Sequence, residues 1–75
     1  MLTIENGRFS DCTFIEDIVG KNIEVKKWRN KIVDRRGRIS FTQRNKDGSI
    51  SITVNFEGSA YTSYNLHNIE FAEIF

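Results

Sequence analysis

Two turn signals of one kind, eleven residues apart, constrain this chain more than any other feature. Asp34-Arg35-Arg36-Gly37 and Asn45-Lys46-Asp47-Gly48 each place Asp or Asn first and Gly fourth. An Asx side chain caps the start of a type I turn, and Gly in fourth place takes the left-handed conformation that a short hairpin loop needs. Around these turns the residues alternate. Ile39, Phe41 and Gln43 point one way, and Arg38, Ser40, Thr42 and Arg44 the other. After the second turn Ile50, Ile52, Val54 and Phe56 share a side, with Ser49, Ser51, Thr53 and Asn55 opposite. Period two with β-branched residues marks half-buried strands. The centre therefore reads as a three-stranded antiparallel meander with one apolar and one polar face.

The N-terminal stretch reads as a tight hairpin. Asn6-Gly7 is a two-residue hairpin signal, because both positions tolerate positive φ, and it sets Ile4 opposite Phe9 and Glu5 opposite Arg8. Ser10 to Gly20 has two readings: a short helix in 11–19 with Thr13 and Glu16 as a capping box and Gly20 beyond its end, or a continued strand. Residues 22–36 are ambiguous as well. As a helix, Asn22 caps its start, Val25, Trp28 and Ile32 form its stripe, and Gly37 closes it. As a strand, which the paired turns favour, Ile32 faces Ile39 across the Asp34–Gly37 turn, and Trp28 and Asn30 face Gln43 and Phe41. Further on, Glu57-Gly58 marks a turn, Ala60–Tyr64 a short strand, Asn65–Asn68 a bend, and Ile69–Ile74 a last strand or short helix. The expected core is Ile23, Val25, Trp28, Ile32, Ile39, Phe41, Ile50, Ile52, Val54 and Phe56, joined by Phe9 and Phe14.

The fold class is mainly β, a small antiparallel meander or barrel with at most one short helix in 11–19. The alternative is an α+β fold with the helix at 22–36. Residues 1–75 make a single small domain, which hides only about 60% of its unfolded surface and so has a thin core. No apolar run approaches the length of a membrane span. The first residues lack a basic region followed by an apolar one, so no signal peptide is expected. The single cysteine, Cys12, cannot form an internal disulfide, which suits a cytoplasmic protein.

The strand order resembles the SH3-like small barrels, the group that includes KOW, Tudor and Sm-type domains. The likeness runs from Ile18-Val19-Gly20-Lys21 through the central strands to Asn65–Ile69, about three quarters of the chain. It is a likeness of fold. The Sm-type RNA-binding signature is absent, so it implies a barrel-like architecture and transfers no site residue.

Charge carries the functional signal. Net charge is +1, yet residues 21–46 hold ten of the eleven basic residues against Glu24 and Asp34, a local +8, and the remainder is −7. On the expected meander Lys27, Arg29 and Lys31, then Arg38 and Arg44, share the polar face with Ser40, Thr42, Ser49, Ser51, Thr53 and Asn55. Cations interleaved with hydroxyls suit phosphate oxygens. Tyr61 and Tyr64 are candidate stacking platforms, although on a short strand such rings also serve as half-buried packing. His67 stands alone, nothing local activates Cys12, and no phosphate-binding glycine loop is present. No enzyme, metal or cofactor is expected. The reading is a small non-enzymatic nucleic-acid-binding domain, for DNA or RNA, using Lys27, Arg29, Lys31, Arg38 and Arg44. The alternative is a protein-interaction module, an adaptor or small inhibitor of a larger enzyme, or a chain that self-associates by charge.

Overall fold

The Asn6–Gly7 turn behaves as its residues dictate. In the computed structural model, which describes residues 2–56 and 60–75, both have positive φ, 51° and 77°. They join β1 (Leu2–Glu5) to β2 (Arg8–Phe9) with Ile4 opposite Phe9 and Glu5 opposite Arg8, the expected register. Residues 22–36 are not a helix. They hold β3 (Asn22–Trp28), a two-residue turn, and the start of the 14-residue β4 (Lys31–Arg44). Ile23 and Val25 alternate inward, and β3 is paired on both sides, to β4 and to β7 (Ile69–Ile74). A helix would forfeit both ladders.

The turn expected at Asp34–Gly37 lies elsewhere. Arg29 and Asn30, with φ of 51° and 61°, make the hairpin instead, so Trp28 faces Lys31 and Lys27 faces Ile32. Ile39 accordingly pairs with Val54 of β5 (Ile50–Phe56), not with Ile32. Asp34 does take positive φ, 49°, but as an extra residue in mid-strand. Val33 and Asp34 together oppose Lys26, a β-bulge. A second register shift falls between Ile39 and Phe41, where Ser40 is the extra residue. At about 3.3 Å per residue a straight β4 would run to roughly 43 Å. The molecule measures 30 × 24 × 22 Å, so the strand bends.

The Asn45–Gly48 turn forms as expected. Gly48 has φ of 88° and its N–H bonds the Asn45 carbonyl at 3.0 Å. The Asp47 carboxylate accepts from the Ser49 hydroxyl and N–H, which hold its pKa below the usual value. A methyl group at Gly48 would meet nothing within 4 Å, so Gly48→Ala isolates the backbone cost. It should destabilise by about 1 kcal/mol, read as a lowered melting temperature.

All seven strands of the described residues join one antiparallel sheet, in the order β2-β1-β7-β3-β4-β5-β6, with β6 spanning Ala60–Asn65. The sheet curls. Trp28 on β3 and Tyr64 on β6 stand three strands apart, about 14 Å in a flat sheet. Their ring centroids are nevertheless 5.4 Å apart, edge to face. The curl stays open, with β2 and β6 at its two ends. Ile4, Ile23, Val25, Ile39, Ile52, Val54, Phe56, Tyr64, Leu66, Ile69, Ala72 and Ile74 fill it. Residues 15–18 form one 3₁₀ turn in place of the longer helix, with Ile15 and Ile18 buried three residues apart. The Thr13–Glu16 capping box is not made. Leu66–Asn68 is a second 3₁₀ turn, at the expected bend. The turn expected at Glu57-Gly58 lies outside the described residues.

Three expected core residues are outside. Ile32 is 80% exposed, Phe41 51% and Phe14 72%. The displaced hairpin turns Ile32 out, the Ser40 bulge turns Phe41 out, and Phe14 precedes the 3₁₀ turn. Trp28, Ile50 and Phe9 are partly buried against the core.

Candidate functional site

The inner face of the curl is apolar, so polar chemistry is displayed on the outer face. Pairing fixes what that face carries. Arg38 on β4, Asn55 on β5 and Tyr61 on β6 lie in one row, and Phe41, Thr53 and Ser63 in the next. Gln43, Ser51 and Asn65 make a third row. The first row extends the other way through Asn22 of β3 to Phe75, which exchanges two backbone hydrogen bonds with Asn22. Arg36 faces out from β4 with its guanidinium 4.7 Å from the Phe75 ring centre. The Thr53 and Ser63 hydroxyls bond each other at 2.9 Å.

The five basic residues named from the sequence do not form a single patch. Lys27, on the outer face of β3, is paired with Glu70 at 3.4 Å. Arg29 occupies the hairpin turn with its guanidinium 4.8 Å from the Trp28 ring centre, and Lys31 begins β4 beside it. Arg38 is central on the outer face. Arg44 sits at the far end of β4, opposite Ile50 and on the inward side of the alternation, where it pairs with Glu16 at 3.3 Å. The structure therefore groups Lys27, Arg29 and Lys31 at one hairpin and separates them from Arg38 and from Arg44.

Part of the charge split is used inside the chain. Three of the four ion pairs among the described residues join the basic centre to the acidic flanks: Lys26–Glu73 at 3.0 Å, Lys27–Glu70 and Arg44–Glu16. The fourth is Arg36–Glu24 at 3.2 Å. Glu73 and Glu24 lie directly opposite each other on adjacent strands, a repulsive placement. Lys26 and Arg36 each neutralise one of them, and the Glu73 carboxylate holds the Lys26 ammonium above its usual pKa. No described carboxylate pairs with Arg38. Its Nε donates to the Gly20 carbonyl at 3.0 Å, which fixes the side chain and leaves the terminal nitrogens of the fork for a ligand.

Phe41 and Arg36 were missed as candidates. The signal for Phe41 was hidden by the Ser40 bulge, which reverses the alternation after Ile39. Of the two tyrosines, Tyr61 presents its ring, at 61% exposed, and Tyr64 is buried. Burial raises the Tyr64 phenol pKa against the opposing charge of Arg35. Cys12 and His67 are exposed, and no group of three potential metal ligands occurs among the described residues. No helix among them is long and apolar enough to cross a membrane. No family model, curated protein or solved structure matches this chain.

Proposed function

We propose that this protein is a small non-enzymatic nucleic-acid-binding β-domain whose contact surface is the outer face of β4, β5 and β6. The observation that carries the reading is Arg38. It is a cation without a described acidic partner, anchored by one N–H, between Asn22 and Asn55 on a sheet face that carries amide and hydroxyl groups. Such groups donate to phosphate oxygens. Arg36 stands two residues away on the same face, with Arg29 and Lys31 at the β3–β4 hairpin beyond it. Net charge of only +1 makes the affinity modest and dominated by phosphate contacts.

Fluorescence anisotropy with labelled oligonucleotides tests this. With about two to four phosphate contacts, raising salt from about 50 to 200 mM should weaken binding roughly seven- to fifty-fold. Arg38→Glu should weaken it more than about ten-fold with little change in melting temperature, because the side chain is exposed. Arg44→Glu, on the inward side at the far end of β4, should have a much smaller effect. Absence of any binding at 50 mM salt removes the proposal.

One observation favours a second reading, a protein partner. β6 ends the sheet, and its residues Ala60–Asn65 carry no charge or proline to discourage an added strand. Backbone pairing at that edge predicts binding almost indifferent to salt, the opposite of the nucleic-acid result.

A further inference from the structure

We infer that the ligand of the outer face is a single strand, with one base stacked on Phe41, one on Tyr61, and the intervening phosphate held by Arg38. The inference rests on the nucleic-acid reading above and names the form of nucleic acid that fits it.

Plain alternation after the buried Ile39 would turn Phe41 into the core. The extra residue at Ser40 turns it outward within the part of β4 that pairs with β5, not at a loop tip. An apolar ring is thus displayed on a strand-borne support. Tyr61 is displayed in the same way, on the same face, two strands away. Both rings are more than half exposed.

Their spacing decides which nucleic acid fits. Two strand separations and one two-residue step along the strands put the backbones of Phe41 and Tyr61 about 12 Å apart. A strand within a duplex advances about 3.4 Å per nucleotide, with its bases stacked on each other and turned away from the protein. A chain that serves both rings must be splayed, with its bases free to leave their neighbours. A duplex offers this face only phosphates. Arg38 lies in the row of Tyr61 and on the strand of Phe41, one row away, so a strand that joins two such bases passes beside it, while its Nε is held on the β3 side by the Gly20 carbonyl.

The surroundings of the rings favour nucleic acid over a protein partner. Asn55, Thr53 and Ser63 separate Phe41 from Tyr61, so the two rings do not merge into the contiguous apolar centre of a protein interface. Phe75 is a third exposed ring near this track, but the Arg36 guanidinium already lies over it.

The test compares the parent with Phe41→Leu, Tyr61→Leu and the double variant. Leu keeps apolar bulk and removes the π-face, and both sites are exposed, so folding is checked simply by thermal melting. The probes are labelled oligo-dT and oligo-U of twelve nucleotides and a duplex of twelve base pairs, at low salt. The parent should bind at least one of the single strands ten-fold or more tighter than the duplex. Each Leu substitution should cost roughly five- to 150-fold on the single strand and leave the duplex affinity unchanged. The dT and U arms separate DNA from RNA as the source of the strand. Equal affinity for single strand and duplex, with both Leu variants unaltered, overturns the inference and leaves phosphate binding through Arg38 standing. A parent that binds none of the three probes overturns the inference and the nucleic-acid reading together.

Discussion

Replacing Ile52 by Ala should cost about 2–5 kcal/mol and lower the melting temperature by about 10 °C or more. Ile52 is fully buried at the centre of β5, between Thr42 on β4 and Tyr64 on β6. Its truncation leaves a cavity beside Tyr64, which packs edge to face against both Trp28 and Phe56. The backbone there is held by ladders on both sides and cannot collapse into the space. A chain of 75 residues has a total stability of about 4–11 kcal/mol. The substitution therefore removes a large share of it, and part of the population should be unfolded at 37 °C. Urea denaturation followed by circular dichroism measures the loss. A midpoint within experimental error of the parent would contradict the central position of β5.

The second large effect is expected at Gly37. Its backbone is extended, so no left-handed conformation protects it. Space does. A Cβ there would lie 2.7 Å from the Asn55 carbonyl oxygen, 2.7 Å from Val54 Cγ1 and 2.8 Å from Phe56 Cδ1. One of these neighbours is backbone and the others are core side chains, so none can yield cheaply. Gly37→Ala should destabilise by about 1–3 kcal/mol through overpacking. The contrast with Gly48 separates the two causes. Asn tolerates positive φ, so Gly48→Asn should be nearly neutral. Gly37→Asn should be worse than Gly37→Ala, because it adds volume where there is none. Comparable melting temperatures for the two Asn variants would refute this account.

The same pair of glycines explains how much of the fold could be read from residues. Asn6-Gly7 and Asn45–Gly48 were legible because their conformational demand is local and nothing nearby competes with it. Asp34–Gly37 carried the same pattern, but the turn went to Arg29-Asn30. An Arg at positive φ is a poor local choice, repaid by continuous pairing of β3 and β4, and such long-range pairing leaves no trace in a short window. Asp34 then used its tolerance of positive φ for a bulge, and Gly37 used its missing side chain for close packing. Strand β5 was legible from end to end, as its alternation is unbroken. The expected polar face of β4 was half right. Arg38 precedes the Ser40 bulge and kept its side, whereas Phe41 and Arg44 follow it and exchanged theirs. The ion pairs of Lys27 and Arg44 with Glu70 and Glu16 depend on contacts across the fold, so their partial neutralisation was not visible in the chain.

The two bulges in β4 act on length as well as shape. Each is a place where the count of residues and the count of paired rungs are out of step by one. Removing Ser40 would leave Ile39 opposite Val54 and Phe41 opposite Thr53, so no side chain would change sides. Removing Thr42 would send every later residue of the strand to the wrong surface. Single-codon losses are thus nearly silent at positions 34 and 40 and disruptive elsewhere in the strand. Descendants of a common ancestor would be expected to carry their one-residue gaps in β4 at those two points.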